Sequence, residues 1–258
     1  PALSSAASDV YKRQLINSMT RLILIRHGQS VWNAKNIFTG WVDVDLTSAG
    51  KQEAKQSGEL INKINFKPQI CFTSYLKRAS DTLDIILKEI NFSEDLKINK
   101  SWQLNERHYG NLQGLNKDET RKKYGEDQFL KWRRSYDTPP PKLDITSEMN
   151  PNKDPLYANI QDTELPLSEC LKDTYERVIP YWEEFIKPNL KYGDTLIAAH
   201  GNSLRALCKQ LFNISDQDIV GLEIPTGNPL LLELDNSCKI KSARYLNSSR
   251  AEKIPQIN

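Results

Sequence analysis

Two of the chain's three histidines each follow a short apolar run. Residues 22–25 lead into Arg26-His27-Gly28, and residues 195–199 lead into His200-Gly201-Asn202. Open α/β sheets bind ligands in the crevice beyond the carboxyl ends of their strands. If these two strands are neighbours, both imidazoles face one cleft. Neutral imidazole attacks phosphorus well and passes the phosphoryl group on, so His27 beside Arg26 is the candidate nucleophile. Gly28 permits close backbone approach and Asn33 follows nearby, whereas a histidine that merely ends a strand needs neither. His200 is the second candidate, donating to a phosphoryl oxygen as charge redistributes. The alternative for it is a hydrogen-bonded core histidine. Gly201 and Asn202 open a helix at that point, and N–H groups at a helix N-terminus make an anion site.

Further charged residues fit the same chemistry. Arg78 falls in the first turn of a helix read over 76–90, where the macrodipole disfavours a cation by about 0.3 kcal/mol or more. A solvated surface arginine tolerates that cost, and a bound anion removes it. The strand end at Thr73-Ser74 puts Arg78 on the sheet edge that carries His27, which favours phosphate binding. Glu106, within Leu104-Asn105-Glu106-Arg107-His108-Tyr109-Gly110, suits a general acid/base, a role worth roughly 10²–10⁴-fold. It equally suits an ion pair with Arg107, and the residues alone leave both open. His108 reads as structural. Lys117 opens one short helix and Arg133-Arg134 close another. Cations are favoured at a helix C-terminus in any case, but an adjacent guanidinium pair also holds a carboxylate bidentately. Trp32, Trp41, Trp102 and Trp132 read as core or pocket wall.

These side chains need a scaffold, and its elements are legible. Residues 21–25, 69–73 and 195–199 read as buried strands, apolar enough to be covered on both faces. Thr47 caps a helix running to about residue 64, and 76–90 carries Ala79, Leu83, Ile86, Leu87 and Ile90 at helical spacing. Short helices over 116–124 and 126–134 flank Gly125. After Pro139-Pro140-Pro141 a polar stretch runs to Pro166, too long for an ordinary connector and so expected to be a functional loop. A helix starting at Ser168 includes Tyr175, Val178, Trp182 and Phe185, and Pro180 kinks it. Residues 202–212 form another helix, and 230–234 and 239–245 are late strands around a turn at Asn236. Alternating strands and helices predict a three-layer α/β/α sandwich with a mostly parallel central sheet.

Composition narrows the function classes. At 258 residues, 38% hydrophobic and 26% charged, the chain reads as a soluble globular protein. Its formal charge of +2 provides no global field to recruit nucleic acid or membrane, and no basic stripe interleaves with aromatics. No apolar run approaches the roughly 18 residues of a bilayer span. Cys71, Cys170, Cys208 and Cys238 lack CxxC spacing, which points to free thiols in a reducing cytoplasm. Residues 1–18 are Ser/Ala-rich without a signal-peptide core. Met19 is the expected native start, residues 1–18 a non-native or disordered extension, and 19–258 a single catalytic domain. No His/Cys/Asp/Glu cluster has metal-ligand spacing and no Walker-type loop is present. Metal-independent phosphoryl transfer remains, with arginines and histidines in place of magnesium.

From Arg21 to Leu246 the chain resembles the cofactor-dependent phosphoglycerate mutases of the histidine phosphatase superfamily. The resemblance is carried by Arg26-His27-Gly28-Gln29-Ser30, Trp32-Asn33, Phe38-Thr39-Gly40-Trp41, Thr73-Ser74 with Lys77-Arg78-Ala79, and residues 104–117. Trp132-Arg133-Arg134-Ser135-Tyr136, residues 198–205 and Ile224-Pro225-Thr226-Gly227 complete it. It implies glycolytic and gluconeogenic interconversion of 3-phosphoglycerate and 2-phosphoglycerate. His27 would carry a phosphoryl group first donated by 2,3-bisphosphoglycerate, the bound bisphosphate would reorient, and no metal would take part. It implies Glu106 as acid/base, and Arg26, Asn33, Arg78 and His200 around the transferring phosphoryl. Thr39, Gly40, Tyr109, Lys117, Arg133, Arg134 and Asn202 would contact substrate, with Gly201 at the helix N-terminus beside them. It also implies phosphoglycerates as the only partners beyond a homodimer or homotetramer, in the cytoplasm.

The chain departs from the family at Val31, at Cys170 (usually serine) and in a short tail after Tyr245 lacking the Gly/Lys-rich ending. The first two are expected to be neutral for chemistry. The third is expected to give a leakier site with more phosphatase side activity. A histidine-dependent phosphatase of the same superfamily is the alternative, opposed by the 106–117 and 132–136 blocks. The bisphosphoglycerate synthase branch usually has Gly-Ala at Ser30-Val31 and serine at Gly40. A silent scaffold would have no use for His27, Glu106 and His200 together.

Overall fold

A computed structural model describes residues 19–92 and 95–257. The reading of residues 1–18 lies outside the described residues. Six strands form one sheet: β1 (Thr20–Arg26), β2 (Ile70–Thr73), β3 (Lys97–Lys100), β4 (Thr195–Ala199), β5 (Leu230–Leu234) and β6 (Ile240–Tyr245). Their spatial order is β3-β2-β4-β1-β5-β6. β1, β2, β3 and β4 are parallel, and the β5–β6 hairpin adds antiparallel to β1. The mixed edge follows from the short connection at Asp235–Lys239, which can only reverse the chain.

The apolar runs do what their composition dictates. Successive side chains of a strand point to opposite faces, and β1 feeds both. Leu22 and Leu24 enter the core with Val178, Trp182, Leu204 and Leu207. Ile23 and Ile25 enter the opposite one with Ile61, Leu83, Ile86 and Leu87. The second face is covered by α2 (Ser48–Lys63) and α3 (Lys77–Glu89), and the first by α6 (Leu171–Tyr181) and α7 (Gly201–Leu211). The predicted three-layer sandwich is present. The remaining helices are α1 (Val31–Ala34), α4 (Lys117–Tyr124) and α5 (Glu126–Arg134).

Local signals hold in detail. Thr47 Oγ1 accepts the Gly50 N–H and caps α2. Asn116 Oδ1 accepts from Asp118 and Glu119 to start α4, and Gly125 at φ +83° turns the chain into α5. Three points add to or change the reading of the elements. β3 was not foreseen, because Lys-Ile-Asn-Lys shows no apolar pattern. It is an exposed edge strand whose pairing to β2 is parallel. The helix expected from Ser168 begins at Leu171, where the Asp173 carboxylate accepts the Cys170 N–H at 2.8 Å. After Pro180 this helix continues as a π-turn, Trp182–Ile186, which leaves Trp182 buried but Phe185 47% exposed.

Candidate active site

The pairing of β1 with β4 decides the site. Arg26 stands opposite Ala199, so His27 and His200 leave adjacent parallel strands at the same level. The His27 N–H donates to the Ala199 carbonyl at 3.0 Å, and the two rings lie 5.0 Å apart, edge to face. His27 is buried, at 2% exposure. Its Nδ1–H donates to the Gly28 carbonyl at 2.7 Å, which fixes the tautomer because a carbonyl only accepts. The Nε2 lone pair is left free and receives only a long 3.3 Å bond from Arg78 Nε–H. Burial, reinforced by Arg78 and Arg26, holds the His27 pKa well below its ordinary value. The ring is therefore held neutral, with the Nε2 lone pair turned away from the Gly28 carbonyl.

Arg78 is 1% exposed, which rules out a solvated surface arginine. Its guanidinium donates to the Gly40 and Val42 carbonyls at 2.7 and 3.0 Å. No acid pairs with it within salt-bridge distance among the described residues, and burial lowers its pKa to about 10, still charged at neutral pH. Arg26 is held through the Ile224 carbonyl at 2.9 Å, with its Nε buried and unpartnered. The Asn33 carbonyl oxygen accepts the Ser30 N–H, which leaves its NH₂ for a ligand. Gly40 has φ +57°, and a Cβ there would sit 2.0 Å from Gln113 Oε1. The neighbouring Thr39 hydroxyl is buried without a partner.

Glu106 is held by donors other than the Arg107 side chain. Its Oε1 accepts the Arg107 N–H (2.7 Å), the Asn202 N–H (3.1 Å) and the Asn202 side-chain NH₂ (2.8 Å). The Arg107 guanidinium does not pair with it. It donates to the Arg133 carbonyl and lies over the Tyr109 ring at 4.5 Å. Two small cavities, of about 50 and about 90 Å³, share Arg26, Glu106, Tyr109 and Lys117 in their walls. The first adds His27, Asn33, Thr39, Gly40 and Arg78. The second adds Arg133, Arg134, Gly201, Asn202 and Arg205. Burial lowers the pKa values of Lys117 and Arg133, as expected for cations packed together without matching acids.

Thirteen of the fourteen residues singled out from the sequence line these two lobes. His200 does not. Its ring is fully buried behind His27, with Nε2 at 2.7 Å from Ser74 Oγ and Nδ1 unpartnered. Burial, with Arg78, His27 and Arg26, lowers its pKa well below the ordinary value. Arg134 is partly occupied by Glu223. His108 is structural as read, Nδ1 accepting the Gly110 N–H at 3.0 Å.

Sequence reasoning missed the layer behind Glu106. Arg177 and Glu169 form a buried ion pair at 2.6 Å. Arg177 also donates to the carbonyls of Gln103, Asn105 and Glu106, while Glu169 accepts the His108 N–H. The irregular segment that carries Glu106 is thus tied down by one guanidinium rather than by a strand. The long polar stretch packs there too: Tyr157 stacks on Trp41 at 5.0 Å and its hydroxyl accepts from Asn105. No signal at fixed spacing announces such long-range partners. A larger cleft of about 530 Å³ opens beside Arg177, but Glu164, Glu169, Asp173 and Glu176 make it unsuited to an anionic substrate. The tail after β6 is anchored beside the His27 loop, where Arg250 donates to Glu53 and Glu53 accepts the Gln29 N–H.

Comparison with known proteins places this geometry. The model of the histidine phosphatase superfamily (branch 1) matches residues 22–243. The chain is 53% identical over 241 residues to the 2,3-bisphosphoglycerate-dependent phosphoglycerate mutase of Maricaulis maris (strain MCS10), covering 93% of this chain and 99% of that protein. The protein of the same name from Hyphomonas neptunium (strain ATCC 15444) is 53% identical over 240 residues, covering 93% and 100%. Among solved structures, a mycobacterial glucosyl-3-phosphoglycerate phosphatase in complex with VO3 superposes with a TM-score of 0.65 at 21% identity, over 88% of this chain and 97% of that one. A putative alpha-ribazole-5'-P phosphatase from Escherichia coli gives 0.64 at 19% identity, over 92% and 100%. At such identities the structural likeness speaks to the fold alone.

Proposed function

The chain belongs to the histidine phosphatase superfamily and, within it, to the 2,3-bisphosphoglycerate-dependent phosphoglycerate mutases; from that premise we propose how its residues interconvert 3-phosphoglycerate and 2-phosphoglycerate. One observation carries the reading. Glu106 stands in the wall shared by two cation-lined lobes, one containing His27 and the other Arg133 and Arg134. A phosphatase needs a single anion site beside its nucleophile, whereas a mutase must hold a second anionic group while a phosphoryl moves.

The residues fit a doubly phosphorylated three-carbon acid. Arg26 Nε, Thr39 Oγ1 and Arg205 Nε are buried polar atoms without partners, and all three residues line the lobes. When bound, 2,3-bisphosphoglycerate would supply the phosphoryl group that His27 carries. Arg26, Asn33 and Arg78 would hold that group, and Lys117, Arg133 and Arg134 the distal anionic end. Thr39, Gly40, Tyr109, Gly201 and Asn202 would line the glycerate between them.

His27 Nε2 takes the phosphoryl as the phosphorus–oxygen bond breaks, and the departing oxygen receives its proton from Glu106. In the reverse sense, Glu106 takes the proton of the accepting hydroxyl as the phosphorus–nitrogen bond breaks. The preorganised guanidinium groups stabilise the charge on the transferring group. His200 backs the His27 ring and leaves one ring nitrogen for a phosphoryl oxygen if His27 shifts. A catalytic domain beginning near Met19, a cytoplasmic site suited to the unpaired thiols, and a homodimer or homotetramer complete the proposal.

The test is intact-mass detection of one added phosphoryl after mixing with 2,3-bisphosphoglycerate, mapped to His27, beside an enolase-coupled assay from 3-phosphoglycerate. One label on His27 and steady 2-phosphoglycerate production are expected, and His27→Ala should lose both. Release of inorganic phosphate without any isomer would instead establish the phosphatase reading.

A further inference from the structure

Arg205 is a buried guanidinium with no carboxylate partner among the described residues. It is 5% exposed, and it forms no ion pair within 4.0 Å among the described residues. Burial of an unpaired charge costs several kcal/mol, so its retained contacts are informative. One NH₂ donates to the Ile219 carbonyl at 2.7 Å, and the other donates to Asn202 Oδ1 at 2.9 Å. Asn202 in turn gives its NH₂ to Glu106 Oε1 at 2.8 Å and to the Tyr109 hydroxyl at 3.2 Å.

The chemistry of these groups permits one arrangement. A guanidinium only donates and a carboxylate only accepts. The Asn202 amide must therefore face Arg205 with its oxygen and Glu106 with its nitrogen. Reversed, it would set oxygen against carboxylate and NH₂ against guanidinium. With the amide locked, its NH₂ joins the backbone N–H groups of Arg107 and Asn202 on Oε1, and Oε2 receives no hydrogen bond among the described residues. Oε1 is saturated. Oε2 is left as the oxygen that takes and returns the proton.

Resting on the mutase reading above, we infer that Arg205 is a positioning residue for the acid/base step: through Asn202 it fixes the two oxygens of Glu106 in different roles. Arg205 also lines the second lobe, so a direct substrate contact is the competing account. The two differ in what the variants do together.

Four proteins form the cycle: wild type, Asn202→Ala, Arg205→Met and the double variant, with Arg205→Lys as the conservative change. Arg205→Met is expected to lower kcat about tenfold to a hundredfold, the scale of a small misplacement of a catalytic group, with KM moving by less than about threefold. Lysine should restore most of the loss because it keeps a donor for Oδ1. In the Asn202→Ala background, Arg205→Met should cost little more, since the relay is already cut. Loss of the Ile219 tie alone would lower thermal stability without making the two substitutions non-additive.

An effect confined to KM, or full additivity of the two losses, would overturn the inference. Should wild type make no 2-phosphoglycerate, the reading of the reaction fails separately. The same proteins are then compared for release of inorganic phosphate, in which Glu106 must also move a proton. Non-additive losses there sustain the relay, and additive ones remove it.

Discussion

At the scale of single residues, hydrogen-bond direction distinguishes the proposed nucleophile from the proposed proton carrier. The Gly28 carbonyl consumes the only ring N–H of the neutral His27, and three donors consume one oxygen of Glu106. What remains on each is the atom that the proposed mechanism uses. Glu106→Gln is the direct check, because glutamine keeps the size and loses the base. We expect kcat to fall about 10²–10⁴-fold with substrate affinity altered far less, read from steady-state rates and from competition binding. An unchanged kcat would return Glu106 to a purely structural role. Most of this site was legible because it is written in strand ends and helix starts: Arg26-His27, His200-Gly201-Asn202 and Arg78. The Arg205–Asn202 relay and the Arg177–Glu169 pair were not. Their partners are 3 to 96 residues apart, and a polar residue inside a helix looks the same in sequence whether it faces water or a carboxylate.

At the scale of elements, the His27 loop is set by how closely α2 can approach it. A Cβ on Gly50 would sit 2.1 Å from the Gln29 carbonyl, and one on Gly28 2.2 Å from the Gly50 carbonyl. Thr47 adds its N–H to the Gln29 carbonyl at 2.9 Å, so the start of α2 is pinned to the His27 loop. Two effects oppose each other in Gly50→Ala. Alanine gains about 0.8–1 kcal/mol of helix propensity, while overpacking a tight contact costs about 1–3 kcal/mol. The contact here is with backbone that cannot rotate away, so the cost should win. Urea unfolding should show a net loss of about 1–2 kcal/mol, with slower phosphorylation of His27; greater stability would refute the tight fit. The cap at Thr47 could be read in advance because it acts locally. β3 and the π-turn after Pro180 could not. An exposed edge strand needs no apolar pattern, and the π-turn depends on packing that keeps Trp182 inside while Phe185 swings out.

At the scale of the whole molecule, all three histidines are buried and held neutral, which ties the fold to pH. Burial, aided by neighbouring arginines, depresses His27 and His200 well below the ordinary 6.5, and burial, with Arg177, takes His108 down to about 3. Above pH 6.5 both the folded and the unfolded chains carry neutral imidazoles, and this contribution is fully present. Below it the unfolded chain binds protons that the folded chain refuses, so stability falls with falling pH. Each histidine contributes about 1.4 kcal/mol per pH unit until its folded-state value is reached. Asp43 and Asp81, whose pKa values burial raises, work in the opposite sense from lower pH, as the folded form then binds protons more readily. The histidines begin to weaken the fold as soon as the pH drops below about 6.5, where their unfolded-state protonation sets in. Urea midpoints taken at pH 7.5, 6.5 and 5.5 should decline only across the lower interval. His108→Gln, which leaves the nucleophile and its neighbour in place, should reduce that decline by one proton's share. A midpoint that stays flat from pH 7.5 to 5.5 would mean that the imidazoles take up protons inside the fold, and a charged His27 could not act as the nucleophile.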